Sequence, residues 1–445
     1  MRPAISRFSA QFFSAYGMLG VLLLLCVYFT FATYRDEPAT GAAGASALAA
    51  SLERAPGTTA HVVIVSQNDD EENEFVTALQ QELQTRGFPP PEVAQGDPPT
   101  VREKLESLAR AGTPVDVVAT SPACRTWPLF DAVKSTIPAL AHIEVRAPEG
   151  GRRSAFLSRS NLNNIADQIA VIAVMAIGMT LVMVTGGIDL SVGSLVALSA
   201  VVTAWLIGAW GGMNASPGAM LLASLAGILL AGAVGGFSAL MITVFRIPPF
   251  IATLAMMQVG SGLAFIVTKG ESLYDIPVSF TWLGRGTGLG ALPNSVLLMI
   301  VLYVLAHLLM TRTVTGRYIY AVGGNAQAAR FGGVNVNYPL AFVYVVSGLM
   351  AGLGGVITAS QLKAGAPTYG LGYELYVIAA AVVGGTSLSG GEGRIFGTLI
   401  GAFIIAVIRN GMNLMNVESY TQKVVLGLVI LGAVLLDMLR RRRRT

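Results

Sequence analysis

The chain has 445 residues, 53% of them hydrophobic and only 12% charged, whereas soluble domains carry about 25% charged residues, so an ordinary water-soluble globule is excluded. The net charge of +4 would suit a nucleic-acid partner, but the basic excess lies in short loops and in the run Arg440 to Arg444. That pattern fits membrane anchoring, and no nucleic acid is expected.

The first element, residues 1–35, places Arg2 and Arg7 ahead of an apolar run from Tyr16 to Ala32. That run exceeds the roughly 7–15 residues of a signal-peptide core, so it reads as a retained transmembrane helix. Residues 36–154 differ sharply: 17 of the chain's 25 acidic residues fall between Asp36 and Arg153. This stretch reads as an inserted, water-exposed α/β domain. Its strands are expected over His61 to Ser66, Val115 to Thr120 and Ala141 to Val145, and its helices over Glu71 to Arg86, Pro99 to Ala111 and Pro128 to Ser135. The alternation implies a small parallel sheet. The flanks Ala39 to Ala50 and Pro148 to Arg153, rich in Ala, Gly, Pro and Ser, read as linkers. The two cysteines, Cys26 and Cys124, fit neither a disulfide framework nor a metal motif.

Residues 155–445 carry the remaining apolar runs. A helix needs about 20 apolar residues to cross a hydrocarbon core, where no water satisfies open backbone groups. Ten spans are expected in all: Tyr16 to Tyr34, Ile165 to Val184, Val192 to Trp210, Ala219 to Val244, Ile251 to Val267, Ser295 to Thr311, Leu340 to Gln361, Tyr373 to Gly385, Ile395 to Ile408 and Gln422 to Met438. The eighth and ninth are short. The fold class is therefore an all-α polytopic membrane protein with about ten transmembrane helices plus an inserted small α/β extracytoplasmic domain. With the amino terminus inside and the insertion's own basic residues set aside, an alternating path places 12 basic residues in the cytoplasm and seven outside, Arg409 among the latter. This favours an even number of spans, both termini cytoplasmic and the insertion outside, in the plasma (inner) membrane in contact with its lipid.

Three loops carry polar chemistry. Asp189 and Ser191 lie in the turn Thr185 to Ser194, where the aspartate either caps the next helix or faces a solute route. Thr386 and Ser387 lie in a Gly-rich turn, Gly384 to Arg394, between the short eighth and ninth spans; glycine-interrupted spans either pack closely or open backbone groups to a solute. Glu374, just inside the eighth span, is the acid most in need of a cavity or a partner. In the loop after the sixth span, Asn325 reads as an N-cap and Gly332 as a stop, giving a short helix from Asn325 to Phe331. It is either a connector or a docking element. Asp167 and Asp437 read as interfacial, which leaves a proton-relay symporter little to work with. No G-x-x-x-x-G-K-[ST] run occurs, so this chain has no recognisable phosphate loop, and neither a bound cofactor nor a metal site is expected.

The stretches Ala176 to Val182, Gly187 to Ser194, Gly316 to Ala321, Gly372 to Leu375 and Gly384 to Leu388, taken together, resemble the permease subunits of ribose-type ATP-binding cassette (ABC) sugar importers, across nearly all of Asn161 to Met438. The resemblance implies a permease without enzymatic activity that pairs with a second copy. It also implies an extracytoplasmic sugar-binding protein that delivers solute and a cytoplasmic ABC ATPase subunit that hydrolyses ATP. On this reading Asp189, Ser191, Glu374, Thr386 and Ser387 line the substrate pathway, and Arg317, Gly324, Asn325, Ala328, Ala329 and Arg330 couple to the ATPase. Tyr376 stands where such permeases often carry an acid, and Glu392 where a basic residue is common. The closest rival solutes are a nucleoside or another small polar molecule; rival classes are a secondary transporter, which needs an ion site, and a membrane sensor. The insertion, through Val62 to Asp69 and Val115 to Thr120, is similar to part of one lobe of a periplasmic sugar-binding protein. A single lobe suits docking or tethering better than capture, with a plain spacer as the alternative.

Overall fold

A computed structural model describes residues 2–54, 59–68, 70–288 and 292–442. The chain divides into two compact units, one from Met1 to Thr33 together with Phe156 to Thr445, the other from Tyr34 to Ala155. Elements in chain order begin with α1 (Arg2–Ala32) of the first unit. The second unit follows as β1 (Tyr34–Pro38), α2 (Gly41–Arg54), β2 (Val62–Ser66), α3 (Asp70–Thr85), β3 (Glu92–Gln95), α4 (Pro98–Arg110), β4 (Val117–Thr120), α5 (Leu129–Thr136), β5 (Glu144–Arg146) and β6 (Gly150–Ser154).

Strands β3, β2, β4 and β5 form a parallel sheet in that order, with Val63 opposite Glu92 and Val62 opposite Val117. Side chains alternate across a strand, and here the alternation serves two helical layers. Val62 and Ile64 join Leu48 and Leu52 of α2 and Leu79 and Leu83 of α3, while Val63 and Val65 join Leu105 of α4 and Val133 of α5. Strands β1 and β6 pair antiparallel, Tyr34 opposite Ser154, which brings the two ends of the unit side by side.

Two stretches expected as linkers are structured. Ala39 to Ala50 falls largely in α2, because Ala45, Leu48, Ala49 and Leu52 make an apolar stripe that is fully buried. Pro148 to Arg153 falls largely in β6, whose backbone bonds to β1. Strand β3 was not expected, since Ala94 is its one buried side chain.

The first unit continues through α6 (Arg159–Val184), α7 (Val192–Ala209), α8 (Pro217–Thr243), α9 (Pro249–Thr268), α10 (Asn294–Arg312), α11 (Val314–Gly324), α12 (Ala326–Phe331), α13 (Asn337–Leu362), α14 (Tyr373–Val383), α15 (Ile395–Leu414) and α16 (Ser419–Arg442). Among the described residues seven helices are long and apolar enough to cross a membrane: α6 to α10, α13 and α15. Shorter apolar helices cover Gly17–Ala32, Tyr373–Val383 and Ser419–Leu435. The protein is a multi-pass, mostly helical membrane protein.

Helix α13 is central, packing on α6, α7 and α8. Small residues allow the approach: a Cβ on Gly235 of α8 would overlap the Tyr344 carbonyl, and one on Gly348 of α13 would overlap the Ala231 carbonyl. The ninth span is longer than its expected end at Ile408. It runs to Leu414, so Arg409, expected in an outer loop, lies inside α15. Arg443 and Arg444 of the terminal basic run lie outside the described residues, as does Asp69.

Candidate functional site

Asp189 is 1% exposed. One carboxylate oxygen accepts from the Ser191 amide at 3.0 Å and the Ser191 hydroxyl at 2.6 Å, and the other accepts from Ser347 of α13 at 2.7 Å. The residue before α7 is Ser191, and the aspartate closes a local turn two residues on rather than capping the helix's first turn. The capping expectation is thus corrected: Asp189 ties the α6–α7 turn to α13. The Tyr344 hydroxyl, one turn from Ser347, is buried with no hydrogen-bond partner among the described residues, and a Cβ on Gly187 would overlap it.

Glu374 comes to the same place from another part of the chain. After α13 ends at Lys363, whose φ of 51° is left-handed, the chain runs without helix to Tyr373. Along the way Gly365 exchanges backbone hydrogen bonds with Leu273, 2.9 Å each way. Gly370 then packs against Gly193 in the first turn of α7, and a Cβ on Gly193 would overlap both the Gly370 carbonyl and the Glu374 carboxylate. Asp189, Ser191 and Glu374 therefore gather around the dipole-positive start of α7, where carboxylates are favoured.

Thr386 and Ser387 form a different cluster. Both are 1% exposed. Thr386 Oγ1 lies 3.5 Å from Thr398 Oγ1, which lies 2.7 Å from Thr180 Oγ1, so hydroxyls link the Gly-rich turn, α15 and α6. The same turn meets the helix ends: the Gly391 amide donates to the Val184 carbonyl at 2.8 Å, and the Tyr320 hydroxyl donates to the Gly393 carbonyl at 2.7 Å. A Cβ on Gly323 of α11 would overlap the Val184 carbonyl. Backbone of α6, α11 and the Gly-rich turn thus meets at one point, directly before α12.

The Asn325 side chain caps α12 by accepting from the Ala328 amide at 2.9 Å. Arg317, Gly324, Asn325, Ala328 and Arg330 are exposed. Ala329 is not: it packs with Val322 and Val336, so it holds the helix down and is no part of an outer face. Phe331, the last residue of α12, is 91% exposed. The cap pattern located this helix, but a lone aromatic in a polar loop gave no prior sign of such exposure.

Residues 161–434 match the family model described as the permease component of the branched-chain amino acid transport system. The chain is 45% identical over 286 residues to the ribose import permease protein RbsC of Escherichia coli (strain K12), covering 63% of this chain and 87% of that protein. It is 43% identical over 285 residues to RbsC of Bacillus subtilis (strain 168), 64% and 86% covered. It is 37% identical over 284 residues to the D-allose transport system permease protein AlsC of E. coli (strain K12), 64% and 85% covered. No solved structure matches the chain.

Proposed function

Because the chain belongs to the family of branched-chain amino acid transport system permease components, we propose that it is the membrane-spanning subunit of an ABC importer that moves a monosaccharide across the plasma membrane. The observation that carries this reading is the similarity, 37–45% identity over 284–286 residues, to ribose and allose permeases. The chain is a permease and not an enzyme, and ATP is hydrolysed in a separate subunit.

The three shorter apolar helices complete ten spans, with α1 and α16 both turned so that the termini are cytoplasmic and the unit from Tyr34 to Ala155 is outside. Solute delivered by an extracytoplasmic binding protein passes between two copies of the chain, along the start of α7 where Asp189, Ser191 and Glu374 gather. Buried carboxylates are costly in a membrane unless they meet a partner or a cavity; Asp189 has Ser191 and Ser347, whereas Glu374, with no side-chain partner among the described residues, is left to water and solute. The ATPase docks on the exposed face of α12, with Phe331 as an apolar knob beside Arg330. Its motion reaches the route through the meeting point of Val184, Gly323 and Gly391.

Single cysteines at Ala326, Gln327, Ala328 and Phe331 test the docking by crosslinking to a co-expressed ATPase subunit. Ala328→Cys and Phe331→Cys are expected to crosslink while a cysteine in place of buried Ala329 does not; a scan negative at every exposed position contradicts the docking. Asp97→Cys tests the topology, since reaction with an impermeant thiol reagent in intact spheroplasts is expected and protection contradicts it.

A further inference from the structure

Helix α14 presents two chemistries from its first turns. Glu374 turns toward Gly193 of α7, while Tyr373 and Tyr376 form an edge-to-face pair with ring centroids 6.4 Å apart and planes at 63°. Arg409 of α15 sits with its guanidinium carbon 5.5 Å from the centre of the Tyr376 ring. A guanidinium carries five N–H donors, and among the described residues no carboxylate or carbonyl accepts from Arg409. It is half-buried within an apolar helix. A charge placed there without a partner is expensive and marks a cavity or a ligand. The tyrosine face offsets part of that expense and leaves the donors unused.

We propose that Tyr373, Tyr376 and Arg409 form a selectivity element in which the C–H face of a neutral sugar ring lies on the tyrosines and its hydroxyl oxygens accept from Arg409. This rests on the monosaccharide reading and narrows it to uncharged, hydroxyl-rich solutes. An anionic sugar satisfies the arginine equally well, but Glu374 lies in the same helical turn and opposes a second negative charge. Tyr376 supplies an apolar plate beside the guanidinium, so the element selects by its stacking surface.

The test uses the full chain assembled with its ATPase and binding protein in proteoliposomes, with radiolabelled D-ribose or D-allose as probe, whichever the wild type carries. At saturating sugar and binding protein, Tyr376→Leu and Arg409→Gln are each expected to lower sugar delivered per ATP hydrolysed by about fivefold, the scale of one lost stacking or charge-assisted contact. Tyr376→Phe, which keeps the ring, and Arg409→Lys, which keeps the charge, are expected to retain most of it. A wild-type melting temperature in detergent and wild-type co-purification with the ATPase show that the variants fold. Full delivery by both Tyr376→Leu and Arg409→Gln overturns the proposal. So does a loss in Tyr376→Phe as large as in Tyr376→Leu, or competition by an unlabelled sugar acid stronger than by its neutral parent. A wild type that carries neither sugar under ATP overturns the underlying monosaccharide reading, an outcome distinct from a failure of the variants alone.

Discussion

In the unit from Tyr34 to Ala155, bulky side chains such as Leu83 and Leu105 are fully buried on the two faces of a sheet, and ion pairs such as Arg102 with Glu106 ring the outside. In the helical unit the close contacts are made by glycine against backbone, as at Gly235 and Gly348, and by hydroxyls against hydroxyls or carbonyls, as at Thr180, Thr398 and Ser199. Bulky residues there lie both inside, as Tyr303 and Tyr344 do, and on the outer face, where Leu229 of α8 is 63% exposed. The difference follows from the solvent. Water drives large apolar side chains inward, whereas lipid is as apolar as leucine and leaves helix association to close packing and hydrogen bonds. Substitutions that seem equivalent by size should therefore act differently in the two units.

The largest effect is expected from Leu105→Ala, which empties a fully buried site in the inserted sheet and should destabilise that unit by about 2–5 kcal/mol. Hydrogen exchange resolved by region checks it: faster exchange in β2 to β5 is expected, with α6 to α15 unchanged. Gly235→Val should come next, forcing α8 from α13 at about 1–3 kcal/mol, read as a lower melting temperature in detergent without faster exchange in the sheet. An effect confined to the wrong unit in either case breaks the contrast.

A smaller, pH-dependent effect is expected at Asp97, which caps α4. The Thr100 hydroxyl, and then the Thr100 amide, hold its carboxyl below the ordinary aspartate value. Its stabilisation is thus present above the unfolded-state value and lost as the pH falls through the depressed folded one. Asp97→Asn still caps, so it should retain the neutral-pH stability of α4 and flatten the acid limb of a pH titration of exchange rates. An unchanged acid limb removes Asp97 from that role. Leu229→Ala should matter least, within about 0.5 kcal/mol, because its side chain faces outward; a loss as large as at Leu105 contradicts an outward, lipid-facing Leu229.

How far each region was legible follows from the same contrast. The long spans announce themselves by the length of their apolar runs, β2 and β4 by short apolar runs, and α3 and α4 by their helical pattern. Helix α2 was obscured because alanine, glycine and serine resemble a linker in composition, although Ala45, Leu48, Ala49 and Leu52 already fall at helical spacing. In the candidate site, the acids and the Asn325 cap were visible as residue types. Their partners were not: Ser347 is 158 positions from Asp189, and nothing local sets that distance to a hydrogen bond. Ala329 among exposed neighbours and Arg409 within rather than beyond a span both depend on packing that no window of sequence contains.

This chain is expected to conduct a monosaccharide only when a separate subunit hydrolyses ATP. Proteoliposomes holding the chain, its ATPase and its binding protein, with radiolabelled ribose or allose outside and ATP inside the accessible compartment of the ATPase, test this most directly. Sugar accumulation is expected, and it should stop when the ATPase is replaced by a hydrolysis-deficient variant. Accumulation that continues undiminished with the deficient ATPase would contradict that dependence on ATP.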